Sequence, residues 1–206
     1  FSAINNFAVS HSTGEILLFL NNDIEALSQS WIMNIVRHAI RPDIGAVGTM
    51  LYYPDKTIQH AGSILGIDGV AGHAYVNELN GYRGQKGRAK LVQNYSTVTA
   101  ACLALEKRKF FEVGGFEEKH LPIAYNDVDL CLKLIRAGYH NLWTPFTELI
   151  HYESATRGYD ITPEKKARLE KEREYMIMKW NSILHNDPAY NPNLSLSRPD
   201  FSLAFT

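Results

Sequence analysis

Five consecutive apolar residues, Ile16–Leu20, run straight into Asn21, Asn22 and Asp23, and that junction sets the limits on what this chain can fold into. A continuous apolar run of this length suits a strand covered on both faces, as in a mostly parallel sheet. Asn and Asp are turn residues, so the triplet ends the strand whatever else it does. Ser28 or Ser30 then offers an N-cap, and Trp31, Ile32, Ile35, Val36 and Ala39 recur at helical spacing until Arg41 and Pro42 stop them. Strand, polar turn and helix make an α/β unit.

The remaining pattern is of the same kind. Residues 2–11 are helix-compatible, and GAVGTML at 45–51 reads as a second strand. Residues 52–90 form a long irregular region with seven glycines from Gly62 to Gly87, a length that points to a binding or lid element. Its Arg83, Lys86, Arg88 and Lys90 are read as solvated charges within reach of phosphates. VTAACLAL at 98–105 is a further strand, residues 107–113 a short helix, and Gly114-Gly115 a turn. Residues 126–138 are an amphipathic helix with Val128, Leu132 and Ile135 on one face and Gly138 as its stop. A strand at 141–150 follows, and Thr162-Pro163 starts a last helix whose stripe is Leu169, Met176, Trp180, Ile183 and Leu184. The charged face of that helix is read as solvated, and the Pro- and Asn-rich tail is expected to drape over the surface.

The 206 residues suffice for one domain with a real core. Lys+Arg 21 against Asp+Glu 22 removes the basic footprint of a nucleic-acid binder. Cys102 and Cys131 lie in apolar patterns without CxxC spacing, which favours buried free thiols and a cytoplasmic setting. No stretch is apolar enough to span a bilayer, so any membrane association is expected to be peripheral, at the inner face, or supplied by sequence outside this chain. The chain opens within a helix already under way, and a fragment is expected.

Three polar features follow apolar elements: Asp23, Asp127 and His151. Ligands of open α/β sheets bind at strand ends, so these residues are candidates to converge. Asn21-Asn22-Asp23 taken alone reads as a turn or as a metal site. In Asn126-Asp127-Val128-Asp129, capping accounts for Asn126 as N-cap and for Asp129 in the first turn. Capping leaves Asp127 unassigned, which makes it a candidate general base. His151 reads as a structural histidine or a ligand, and Ser154 and Arg157 after it suit phosphate oxygens.

LLFLNNDIE, VTAACLALEKRKFFEVGGFEE, YNDVDLCLKLIRAGY and LIHYESATRG, in that order, resemble the inverting family 2 glycosyltransferases of GT-A fold, notably the rhamnosyltransferase-like enzymes of bacterial surface polysaccharides. The resemblance implies a mixed α/β sheet flanked by helices, with residues 1–160 as the C-terminal portion of the GT-A domain and 161–206 as a helix and tail packing on it. It implies that the parts gripping the nucleotide base precede the Asn-Asn-Asp triplet. That triplet stands where the family carries its DXD motif. Asp23 and His151 would bind a divalent metal, Mg²⁺ or Mn²⁺. Asn21, Asn22, Ser154 and Arg157 would contact the nucleotide-sugar donor, and Asp127 would be the catalytic base. Asn126, His60 and His73 are further substrate contacts to test, the two histidines standing equally well as loop residues without a role. The implied partners are a nucleotide-sugar and a saccharide or lipid-linked saccharide acceptor. The rival readings are a catalytically silent carbohydrate-binding or interaction module and a nucleotidyltransferase. The order from Asp127 to His151 argues against the second of these.

Overall fold

The computed structural model describes residues 1–152 and 162–204. Helix α1 (Ser2–His11) leads into β1 (Ile16–Leu20), β2 (Ile24–Ala26), α2 (Trp31–Ala39) and β3 (Ile44–Tyr52). Short strands β4 (Ile58–His60), β5 (Ser63–Leu65), β6 (Ala71–His73) and β7 (Gln93–Asn94) precede β8 (Cys102–Glu106). Then come α3 (Lys107–Glu112), α4 (Asn126–Arg136), β9 (His140–His151) and α5 (Pro163–Leu184).

The main sheet runs β1-β8-β3-β9-β2, with β4 added to β3 and β7 to β9, while β5 and β6 form a separate hairpin. Within the main sheet β3 and β9 are parallel and every other pair is antiparallel. The sheet is therefore mixed, as the resemblance implied, and not the mostly parallel one that the apolar run of β1 suggested by itself. β1 lies at its edge with alternating burial, Leu17 and Phe19 inward and Leu20 exposed. Five apolar residues in a row record position beside a core as well as coverage on both faces.

β3 is buried at every residue and divides the interior. Ala46, Met50 and Tyr52 join Leu103, Leu105, Cys131, Leu134 and Trp143 on the α4 side. Val47 and Leu51 pack with Ile35 and Ala39 of α2 on the other. Gly48 permits the close packing of Val98, whose Cβ would lie 2.5 Å from any Cβ added there. Pro145 falls where the β3–β9 register shifts, between Thr144 and Glu148, so its missing N–H interrupts no regular ladder. Both cysteines are free and buried, and burial pushes the thiols up to about 12, which keeps them protonated and inert.

Helix α5 is pinned to α4 through Asp129, which is fully buried. Its Oδ1 accepts from Trp180 Nε1 at 2.7 Å and lies 2.7 Å from Lys179 Nζ, while Lys133 Nζ is 3.2 Å from Oδ2. Asp129 is thus an internal tie rather than only a first-turn charge. Thr162 caps α5 as expected, accepting from the Lys165 N–H at 3.4 Å.

Two irregular regions are more ordered than the sequence reading expected. Within 52–90, Ile58, Ile64, Leu65, Val70, Ala74 and Tyr75 are all buried, so this region is a wall of the domain. Arg88 lies 4.4 Å over the Phe201 ring instead of in solvent. The tail runs over the surface without regular structure as expected, but it is anchored: Phe201 is buried against Tyr75, Tyr95 and Tyr190. Half-buried Asp187 accepts from Ser96 Oγ and from the Leu65 and Ala189 N–H groups, its carboxyl held above the usual range by desolvation.

Phe201→Ala should lower the unfolding free energy by about 3 kcal/mol or more in urea titration, as for other buried aromatics. A draped tail would change it by less than about 0.5 kcal/mol. A second expectation concerns His60, fully buried on β4 with neither ring nitrogen hydrogen-bonded among the described residues. Desolvation, then the neighbouring His73 and His151, holds it well below the ordinary imidazole value. The unfolded chain takes up a proton on this side chain as pH falls through about 6.5 and the folded chain does not, so stability is lost there at up to about 1.4 kcal/mol per pH unit. Melting curves from neutral pH down to about pH 5.5 should show a shallower decline for His60→Leu than for the native chain.

Candidate active site

A cleft of about 610 Å³ opens where β1 and β9 end and α4 begins. The Asn21-Asn22-Asp23 turn is fixed on both sides. The Asn21 N–H donates to Ala101 O at 3.0 Å, and the Tyr152 N–H donates to Asp23 O at 2.9 Å. The β2–β9 register sets Ile24 opposite His151, which carries Asp23 beside the imidazole. Asp23 Oδ1 lies 3.2 Å from His151 Nε2, and Asn21 Nδ2 lies 3.1 Å from the same nitrogen. His151 Nδ1 meets Gln59 Oε1 at 2.7 Å.

Asp127 faces the same cleft from the first turn of α4. Its Oδ1 accepts from the Val128 N–H at 2.8 Å and its Oδ2 from the Ala100 N–H at 3.0 Å. Each carboxylate oxygen has a second lone pair, so the group is oriented without being saturated. The residue before the helix, Tyr125, has φ 57°, a left-handed conformation uncommon for a bulky side chain. That turn is held from α5. Glu172, buried, accepts from the Ile123 N–H at 3.1 Å and the Ala124 N–H at 3.0 Å. Tyr125 takes the N-cap position expected for Asn126, whose Nδ2 instead donates to Ile123 O at 2.6 Å. Asn126 still lines the cleft.

The structure gathers Asn21, Asn22, Asp23, His73, Asn126, Asp127 and His151 around one cavity. His60 does not line it; the ring sits behind His73, with centroids 4.6 Å apart. Arg83, Lys86, Arg88 and Lys90 do not line it either. Ser154 and Arg157 lie outside the described residues. The sequence reading missed Gln59 and Glu172. Glu172 was legible, because it follows Leu169 by three and precedes Met176 and Trp180 at steps of four, on the apolar stripe itself.

Among the described residues no group of three or more His, Cys, Asp and Glu side chains is gathered to hold a metal. Asp23 and His151 are the pair suited to one. Asp23 Oδ1 is buried and takes no hydrogen bond among the described residues, so it is an anionic oxygen with unused acceptor capacity beside an imidazole nitrogen. That donor set fits a hard divalent cation completed by phosphate oxygens and water.

No protein-family model matches the chain. It is 50% identical over 204 residues to uncharacterized protein y4gI of Sinorhizobium fredii, covering 99% of this chain and 22% of that protein. It is 39% identical over 204 residues to the O-antigen biosynthesis protein RfbC of Myxococcus xanthus, covering 98% of this chain and 16% of that protein. A segment of 63 residues, 31% of this chain and 20% of the relative, is 32% identical to the N-acetylglucosaminyl-diphospho-decaprenol L-rhamnosyltransferase of Mycobacterium tuberculosis. The chain thus spans about a fifth of the length of the curated relatives it matches. Among solved structures, GalNAc-T7 with UDP, GalNAc and Mn²⁺ superposes with TM-score 0.56 at 11% identity, over 94% of this chain and 45% of that one. The mannosyltransferase PcManGT of Pyrobaculum calidifontis, in complex with GDP-Man and Mn²⁺, gives 0.54 at 17% identity, over 91% and 50%. The chain is a homologue of proteins named for O-antigen biosynthesis and rhamnosyl transfer, and its fold is that of the GT-A glycosyltransferases.

Proposed function

We propose that this chain is the metal- and acceptor-side portion of an inverting glycosyltransferase of family 2 type, acting in polysaccharide biosynthesis. The observation that carries the reading is the convergence of Asp127 with the Asp23–His151 pair on one cleft, from sequence segments far apart. The name of the rhamnosyltransferase relative supports a lipid-linked saccharide acceptor, and the UDP with GalNAc and the GDP-Man held by the two structural neighbours support a nucleotide-sugar donor.

In this reading Asp127 takes the proton of the acceptor hydroxyl on a carboxylate oxygen, while the Ala100 and Val128 N–H groups keep the carboxylate in place. Direct displacement by that hydroxyl inverts the anomeric centre, so no nucleophilic side chain is required. Asn21 and Asn22, on the turn anchored to Ala101, lie where they would orient the donor, with Ser154 and Arg157 as proposed phosphate contacts. Asp23 and His151 would hold Mg²⁺ or Mn²⁺, which when bound supplies Lewis-acid neutralisation of the leaving diphosphate. Residues 1–160 would form the C-terminal portion of the catalytic domain, with 161–206 as its helix and tail. Among the described residues no helix is long and apolar enough to cross a membrane, and we place the reaction at the cytoplasmic face, where a lipid-linked acceptor would be met.

Calorimetric titration with nucleotide-sugars and Mn²⁺, on this chain and on the longer protein, tests the donor side. Asp23→Ala should abolish metal-dependent donor binding. Asp127→Asn should leave donor binding intact and slow transfer by about 10²–10⁴-fold. Full transfer by Asp127→Asn, or donor binding indifferent to metal and to Asp23, would sink the proposal.

A further inference from the structure

Gln59 occupies an unusual point of the β3–β4 pairing. Leu51 pairs with His60 and Tyr52 with Ile58, so one step along β3 is matched by two along β4, and Gln59 is the extra residue of a β-bulge. Bulges re-aim a side chain out of the regular alternation, and they recur beside active sites. Gln59 is buried, lines the cleft and is in contact with two of its histidines. Its side-chain Oε1 lies 2.7 Å from His151 Nδ1, and its main-chain O lies 3.0 Å from His73 Nδ1.

A carbonyl oxygen only accepts hydrogen bonds, so each Nδ1 must carry the proton. In a neutral imidazole the other nitrogen is then unprotonated and accepts. For His151 that nitrogen is the one 3.1 Å from the Asn21 amide and 3.2 Å from Asp23 Oδ1. For His73, which also lines the cleft, it is a lone pair available to a substrate hydroxyl.

We infer that Gln59 is a positioning residue: from one bulge it fixes His151 and His73 as their Nδ1–H tautomers, turning an unprotonated Nε2 of each toward the cleft. The part concerning His151 deepens the metal reading proposed above. The tautomer itself is a property of the chain alone, so the two stand or fall separately. Histidines that bind metals commonly have their second ring nitrogen fixed by such a partner, and losing that partner weakens metal binding.

The test is long-range ¹⁵N–¹H correlation NMR of the imidazoles in the labelled chain, above the imidazole titration range, with Mn²⁺ titration alongside. Both rings should show a protonated Nδ1 and an unprotonated Nε2. Gln59→Met removes the side-chain acceptor and keeps the main-chain one. His151 should then lose its fixed tautomer while His73 keeps it, and Mn²⁺ affinity should fall about 10–100-fold. Gln59→Glu restores an acceptor oxygen and should restore the tautomer of His151. A native His151 protonated on Nε2 overturns the inference, as does a Gln59→Met chain whose His151 tautomer is unchanged. If the native chain shows the expected tautomers yet binds no Mn²⁺, the positioning role stands and the metal reading falls.

Discussion

The pairing of β2 with the end of β9 is the contact on which the site depends. It sets three residues beyond the Asn-Asn-Asp turn against the last residues of the longest strand, and so brings Asp23 within 3.2 Å of His151. β9 can serve as that anchor because its parallel partner β3 is buried along its whole length. A displacement of β9 would move the imidazole, the turn and the bulge of β4 together, since β4 hangs from the same β3. The cleft therefore has one rigid reference.

A second set of contacts fixes the opposite wall. Glu172 holds the turn before α4, and Asp129 holds α4 against α5 through Trp180 and Lys179. Glu172 is a buried carboxylate that accepts from two N–H groups, and Asp129 is one paired with the Lys179 and Lys133 ammonium groups, the conditions under which a charge is tolerated inside a protein. Asp127 keeps its place at the cleft because its neighbours two and three residues away are tied from elsewhere.

Much of this was legible in the residues. Strand and helix periodicity located β1, α2, β3, α4 and α5, and the order of the motifs brought out Asp23, Asp127 and His151, which the fold does assemble. What failed has physical reasons. The β1 run looks the same whether a strand is central or at an edge, so its place at the edge was not legible. Prolines and asparagines in the tail signal irregular backbone, but they say nothing of burial, and the aromatic residues among them carried that information. Gln59 was invisible because a bulge arises from pairing between strands, which a single segment does not encode. His60 has the composition of a site residue, yet the alternation of β4 turns it away from the cavity.

The seating of Phe201 among Tyr75, Tyr95 and Tyr190 also bears on how the chain is made. A nascent chain emerges from its N-terminal end, so Tyr75 and Tyr95 leave the ribosome well before the ring that covers them. Until the tail follows, the wall of the cleft formed by residues 52–90 stands with an unfilled aromatic socket. Exposure to premature association then falls in the interval between the emergence of Tyr95 and that of Phe201, while strands of the sheet are already available to pair.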